Sequence, residues 1–183
     1  TPITTMFTIL KQLKLNPQGI LLDLIATGDL LIAPEHQHRG AWVLDIGSRH
    51  TRVGYFTHHT LQEATVIPIG GDTITQDIAH CLAIDTEQAE RLKLLFGSVG
   101  THSGKPIAVH LASGTKMIES ALLSAIITAR VDELFRLITN THWANPWADA
   151  PVYLCGGGSL LTNLSDHLGT TLGGCPQPLM PPH

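Results

Sequence analysis

The amino-acid sequence predicts an α/β fold, in which a mixed sheet containing a three-strand meander is flanked by helices and a small inserted subdomain. Apolar residues at intervals of three and four predict helices at 72–83 and 115–140. A late apolar run, 150–155, precedes three glycines and a helical pattern, which predicts a strand–turn–helix unit. The meander is predicted by three runs of strand-forming residues separated by tight turns, at 41–46, 51–56 and 61–69.

The composition indicates a globular protein that is soluble. Of the 183 residues, 43% are hydrophobic and 14% are charged, and the formal net charge of −4 offers no basic surface for a nucleic acid. No apolar run reaches the roughly 18 residues of a membrane span, and no signal peptide is expected. The three cysteines follow no disulfide pattern and predict reduced thiols in a cytoplasmic protein. The eleven histidines lack metal-ligand spacing, so no metal site is predicted.

The segment before the meander is predicted to contain a helix, a strand and a second, very short helix. Apolar spacing predicts the first helix at 3–14, ended by Asn16 and Pro17. The rest is predicted as a strand at 19–24, a turn at 27–29, a helix at 30–33 and a polar, histidine-rich loop at 34–40.

Helices dominate the prediction after the meander. Asp72 or Thr73 can cap the helix at 72–83, and Ser159 is a candidate N-cap near the end of the chain. A helix at about 85–96 carries acidic residues early and basic residues late, as the helix dipole favours. The other elements are predicted as a loop at 98–105, a strand at 106–111, the long helix, a loop around Trp143 and Trp147, a helix at 160–168 and a frayed, proline-rich end after Gly173.

Two glycine-containing turns are the candidate binding elements. Asp45 and Gly47 lie at the tip of the first hairpin, where glycine allows a tight turn and close approach to backbone N–H groups. From that stretch alone, a plain hairpin in which Asp45 caps its own turn is the favoured interpretation. The second turn, Gly156 to Ser159, follows a strand and precedes a helix, an arrangement that suits a phosphate or a sugar. It matches neither the Walker motif nor the dinucleotide fingerprint.

Four stretches resemble the actin-like ATPase superfamily, whose fold is ribonuclease H-like. They are Val43–Gly47, Ala64–Ala79, Glu87–Lys93 and Tyr153–Leu161. Within the superfamily, the chain is most similar to the C-terminal half, or second lobe, of the bacterial cell-division protein FtsA. The pilus-assembly protein PilM and the filament protein MreB are close alternatives. The resemblance implies a nucleotide-binding core subdomain at 1–69 and 116–183, and an inserted smaller subdomain at 70–115.

The resemblance implies that the hairpin tip binds the phosphates of ATP together with Mg²⁺. Asp45 would lie near a metal-bound water, and the amides of Gly47 and Ser48 would face the β- and γ-phosphate oxygens. Where the family has two further glycines and a threonine, this chain has Ser48, Arg49 and His50, whose bulk reduces access to the backbone. The family's other phosphate hairpin belongs to its first lobe and has no counterpart here. We therefore expect no detectable ATP hydrolysis by this chain alone, and no catalytic residue is assigned.

The resemblance also implies an adenosine site. Glu90 and Lys93, three residues apart on one helical face, would reach the adenine and ribose, and Gly71 would close the floor of the pocket. The residues implied to lie against the adenosine and the α-phosphate are Gly156, Gly157, Gly158 and Ser159.

Three functions are consistent with the resemblance. The first is a nucleotide-binding and assembly module that links filaments of the tubulin-like protein FtsZ to the inner face of the cell membrane, reached only through segments outside this sequence. In that family the proteins self-associate into dimers or filaments, and the inserted subdomain contacts the C-terminal tail of FtsZ, an acidic, partly apolar peptide. Arg91, Lys93 and Lys105 are candidate contacts for it. The alternatives are a PilM-like pilus scaffold and a lobe of an ATPase of the sugar- or acid-kinase type.

Overall fold

The structure is a computed structural model that describes residues 2–100, 104–111, 114–141, 143, 150–172 and 176–178. The helices of these residues are α1 (Pro2–Gln12), α2 (Asp23–Leu31), α3 (Pro34–Arg39), α4 (Gly71–Leu82), α5 (Thr86–Phe96), α6 (Ser120–Asn140) and α7 (Leu164–Leu172). The strands are β1 (Ala41–Ile46), β2 (Thr51–Thr57), β3 (Thr60–Ile67), β4 (Ile107–Leu111), β5 (Gly114–Ile118), β6 (Val152–Cys155) and β7 (Pro176–Pro178).

The main sheet has five strands in the order β3-β2-β1-β6-β7. β1 pairs antiparallel with β2, and β2 pairs antiparallel with β3, which confirms the predicted meander. β6 runs parallel to β1, and β7 runs parallel to β6, so the sheet is mixed as predicted. Because β1 lies between β2 and β6, the end of β1 is the point at which the first hairpin meets the turn that follows β6.

Both faces of the sheet are covered. Successive side chains of a strand point to opposite faces, and β1 shows this clearly. Trp42 and Leu44 are fully buried in the larger core, together with Phe135 of α6. Val43 is fully buried in a smaller core on the other face, where it clusters with Leu24 of α2. Asp45 follows Val43 by two residues and therefore belongs to the α2 face.

The predictions for the segment before the meander are partly wrong. The helix at 3–14 is confirmed as α1. In place of the predicted strand, turn and short helix between 19 and 33, the chain has no regular structure up to residue 22 and then forms α2. Gly28 is the reason for the error, because it reads as a turn signal but lies inside the helix. A Cβ on Gly28 would lie 2.4 Å from Cζ of Phe56, so glycine is required there by the ring that packs against the helix.

The histidine-rich segment predicted as a loop at 34–40 is instead the helix α3. Pro34 occupies the first turn of this helix, a position at which the missing N–H and the fixed φ of proline are tolerated. Gly40 ends it with a φ of +105°.

Four later predictions also need correction. The long helix begins at Ser120 rather than 115, because residues 114–118 form β5, which pairs with β4 in a separate two-stranded sheet. The helix predicted at 160–168 is a 3-10 turn at Gly157–Leu160 followed by α7. Ser159 lies inside that turn and is not the N-cap of a helix. Part of the end predicted as frayed forms β7. Trp147 and Cys175 lie outside the described residues.

The helices α4 and α5 are confirmed within one or two residues of their predicted bounds. Asp85 caps α5 by accepting a hydrogen bond from the Gln88 N–H, at 2.8 Å. The proposed division into a core subdomain and an inserted subdomain at 70–115 stays a prediction. None of the described helices combines the length and apolarity needed to cross a membrane.

Candidate functional site

The site is built where the hairpin tip and the triple-glycine turn lie side by side. Asp45 pairs with Cys155 across the parallel β1–β6 ladder, so the two turns begin at the same level of the sheet. Gly156 follows with a φ of +79° and a ψ of 166°, a conformation that residues other than glycine rarely adopt. A Cβ on Gly156 would lie 2.5 Å from both Oδ1 of Asp45 and the carbonyl oxygen of Ile46. This contact therefore requires glycine.

The start of α4 holds the hairpin tip from the other side. The N–H of Gly71 donates to the Gly47 carbonyl at 2.9 Å, and the N–H of Asp72 donates to the Ser48 carbonyl at 2.7 Å. A Cβ on Gly70 would lie 2.5 Å from the Ser48 carbonyl oxygen, so the close approach of α4 depends on that glycine. Gly70 was not among the predicted site residues, although the Gly-Gly pair in the sequence was a signal for it.

α5 is attached to the same corner through Lys93. Its ammonium donates to the Gly71 carbonyl at 2.9 Å and to Oγ1 of Thr75 at 2.7 Å, and forms an ion pair with Oε2 of Glu90 at 2.7 Å. Thr75 also hydrogen-bonds to Glu90. Only 10% of the Lys93 side chain is exposed. The three N–H donors of the ammonium thus have three protein acceptors, and Lys93 fixes α5 against α4.

The elements enclose a cavity of about 310 Å³, at the lower end of the size range of small-molecule sites. Seven of the ten predicted site residues line it, namely Gly47, Ser48, Gly71, Glu90, Lys93, Gly157 and Gly158. Further lining residues that were not predicted as site residues include Asp72, Leu94, Gly97, Leu161 and Thr162. The lining combines backbone from glycine-rich turns with apolar side chains, two acidic residues and one lysine, which fits a ligand with polar and aromatic parts.

The other three predicted residues lie beside the cavity and not in its lining. The Asp45 carboxylate forms an ion pair with Arg52, with 2.6 Å between Oδ2 and Nη1. Gly156 is the residue that lets the two turns meet. The Ser159 hydroxyl donates to the Gly156 carbonyl at 2.7 Å and so closes its own turn.

One expectation for the hairpin amides is wrong. The Gly47 N–H donates to the carbonyl oxygen of His50 at 3.1 Å, which closes the hairpin turn. The Gly47 N–H was expected to face a phosphate oxygen, but it is occupied by this hydrogen bond within the turn. The sequence could not show this, because it depends on how tightly Gly47 to His50 closes.

Burial and neighbouring charges shift the pKa values of two groups near the site, Glu90 and Cys155. Burial raises the pKa of Glu90, but hydrogen bonds from Lys93 and Thr75, together with the Lys93 charge, outweigh it and lower the pKa below its ordinary value. Glu90 is therefore ionised at neutral pH. Burial, with a further contribution from the Asp45 charge, raises the pKa of the Cys155 thiol to about 12, so this cysteine is a neutral packing residue and not a nucleophile.

The fold is that of the actin-like ATPases. The chain is similar in structure to MreB5 of Spiroplasma citri bound to ADP, with a TM-score of 0.81 and 18% identity, over 97% of this chain and 60% of that one. It is also similar to a protein of the PilM-PilN type IV pilus biogenesis complex, with a TM-score of 0.69 and 21% identity, over 97% of this chain and 47% of the other. At these identities the likeness shows the fold alone.

Comparison of the sequence with family models identifies one family among the actin-like ATPases. The family model of the cell division protein FtsA matches residues 42–177, and the chain belongs to the FtsA family. The cell division protein FtsA of Neisseria meningitidis serogroup B is 25% identical over 173 residues, which cover 90% of this chain and 42% of that protein. The chain therefore spans less than half the length of this relative.

Proposed function

We propose that this chain is the nucleotide-binding second lobe of an FtsA-type cell-division protein and that it binds an adenine nucleotide in the cavity between the two turns, α4 and α5. The observation that carries the proposal is the convergence of four separate sequence segments on one cavity, with seven of the predicted residues in its lining. The family membership and the actin-like fold support it.

The residues suggest a division of roles within the proposed site. The Glu90 carboxylate is 41% exposed and borders the cavity, so it is available to ribose hydroxyls. Lys93 acts through Glu90, because its donors are already occupied by protein acceptors. The backbone of Gly157 and Gly158 lines the same space without bulk. We propose no hydrolytic step for this chain, since phosphoryl transfer needs a closed cleft with a positioned water.

The proposal predicts that ADP or ATP raises the melting temperature of the chain. A ligand that binds only the folded state at a hundred times its Kd adds roughly 2.7 kcal/mol, or about 5–10 °C for a chain of this size. The measurement is a thermal-shift titration with ADP, ATP and, as the control, adenine-free pyrophosphate. A melting temperature that stays constant at millimolar ADP and ATP would contradict the proposal.

We further propose that the parent protein self-associates and acts at the inner face of the cell membrane, and that the surface of residues 70–115 binds the C-terminal tail of FtsZ. A groove of about 180 Å³ between α5 and β4 supports this choice of surface. Its lining includes Arg91, Leu95, Phe96 and Val109, and Leu95 is 68% exposed. Such a groove suits a peptide with both acidic and apolar side chains. Of the candidate basic contacts, Lys93 is unavailable, because only 10% of its side chain is exposed and its three N–H donors already have protein acceptors.

The groove proposal predicts that Arg91→Glu weakens binding of an FtsZ tail peptide by about tenfold, because a favourable charge at the groove is reversed. Arg136→Glu is the matched control, since Arg136 is exposed on α6, away from this groove. Fluorescence anisotropy of a labelled tail peptide measures both variants. Equal weakening by the two variants would show that only net charge matters and would remove the groove assignment.

A PilM-like pilus scaffold is the second candidate. Only the similarity of fold favours it, whereas the family match over residues 42–177 favours an FtsA-type protein. The peptide experiment separates the two, because a pilus scaffold has no reason to distinguish Arg91→Glu from Arg136→Glu with an FtsZ tail.

A further inference from the structure

Arg52 stands directly opposite Asp45 in the β1–β2 ladder. Its Nη1 lies 2.6 Å from Oδ2 of Asp45, and its Nη2 lies 3.1 Å from Oδ2 of Asp23 in α2. One guanidinium therefore joins the end of β1, the start of β2 and the first turn of α2. Arg52 and Asp45 are both largely shielded, with side-chain exposures of 29% and 18%.

One oxygen of the Asp45 carboxylate is bonded to Arg52, and the other lies near the glycine turn. Oδ2 accepts the hydrogen bond from Arg52, and Oδ1 lies so close to the backbone of Gly156 that a Cβ there would be 2.5 Å away. A partly buried hydrogen bond between two charged groups is stronger than a neutral one. A cation that bound Asp45 would either displace the guanidinium from Oδ2 or lie beside its positive charge.

The described residues contain no cluster of side chains that would hold a divalent cation by themselves. No group of three or more histidine, cysteine, aspartate or glutamate side chains in them could hold a metal ion. Mg²⁺ in nucleotide sites is held by one or two carboxylates and by substrate phosphates. Asp45, which is already paired with Arg52, therefore does not fit the role beside Mg²⁺ that the family resemblance implies for it.

We propose that Arg52 is the built-in counter-ion of Asp45 and withholds this carboxylate from divalent cations, so that nucleotide binding to the chain does not depend on Mg²⁺. The statement about Asp45 stands on the ion pair alone, and the statement about nucleotide rests on the proposed function. Arg52 is a positioning residue in this scheme, since it acts through Asp45.

The first experiment uses no nucleotide. Mn²⁺ is titrated into the isotope-labelled chain, and paramagnetic broadening of the Gly156 amide signal is followed by NMR. We expect no selective broadening in the wild type, selective broadening in Arg52→Gln, and its loss again in the double variant Asp45→Asn, Arg52→Gln. Asp23→Asn is the control, because it removes the second partner of Arg52 and leaves the pair with Asp45. Arg52→Thr, which suits a strand, replaces Arg52→Gln if the latter does not fold.

Selective broadening of Gly156 in the wild type, or none in either Arg52 variant, would overturn the proposal whatever the nucleotide does.

The second experiment measures ADP affinity by calorimetry in Mg²⁺ and in EDTA. We expect equal affinities for the wild type, and an affinity at least about fivefold higher in Mg²⁺ for Arg52→Gln. A strongly Mg²⁺-dependent wild type would contradict the proposal. Absence of any ADP binding with the expected Mn²⁺ result would instead remove the proposed function and leave the role of Arg52 intact.

Discussion

Gly157→Val is expected to abolish the rise in melting temperature proposed for ADP and ATP, while changing the free energy of unfolding without ligand by less than about 1 kcal/mol. The reason is the unusual position of Gly157. It lines the cavity, its φ lies outside the left-handed region, and a Cβ built on it meets nothing within 4 Å. A branched side chain would therefore project into the space proposed for the ligand without straining the fold.

Gly19→Val is the matched control for this variant. A Cβ on Gly19 would also meet nothing within 4 Å, and Gly19 does not have a left-handed φ, but it lies in the irregular segment before α2, outside the cavity lining. We expect it to keep the full nucleotide-induced shift. A Gly157→Val protein that is stabilised by ADP as much as the wild type would show that the nucleotide does not bind in this cavity.

The neighbouring substitution Gly156→Val is expected to have the opposite effect and to destabilise the fold by about 3 kcal/mol or more. A residue other than glycine at this φ and ψ costs on the order of 1–3 kcal/mol, and valine is worse than most because it is β-branched. The overlap of a Cβ with Oδ1 of Asp45 and the Ile46 carbonyl adds to that cost.

Urea denaturation measures the Gly156→Val effect directly, as a lower midpoint with an unchanged slope. Gly157→Val in the same titration is the internal comparison, because the two variants add the same side chain at adjacent positions. A Gly156→Val protein within about 1 kcal/mol of the wild type would show that the two turns do not meet as closely as the structure has them.

The parts of the fold that the sequence predicted correctly are those with strong local patterns. The meander was predictable because three runs of strand-forming residues, separated by tight turns, follow one another between residues 41 and 69. α5 was predictable because acidic residues stand at its start and basic residues near its end, as the helix dipole favours. β5 was not, because its five residues are continuous in pattern with the long helix and only pairing with β4 distinguishes them.

The same distinction applies to the candidate site. The glycines and the Glu90–Lys93 pair were visible in the sequence as motifs. The orientation of Asp45 was not predictable, because it depends on the ion pair with Arg52 in the neighbouring strand. Arg52 also pairs with Asp23 in α2, a helix that was not predicted because Gly28 was interpreted as part of a turn. Thr75 was missed for a related reason, since its importance comes from contacts with Glu90 and Lys93, which are 15 and 18 residues further along the chain.

The attachment of Lys93 has a consequence for communication across the molecule. Two hydrogen bonds in series connect the hairpin tip to α5, from Gly47 to Gly71 and from Gly71 to Lys93. α5 has only 11 residues, and it borders the cavity through Glu90 and the groove through Arg91. A shift of this one helix would reshape both surfaces together. Thermodynamic reciprocity then requires that whatever a nucleotide does to peptide affinity, the peptide does to nucleotide affinity by the same factor.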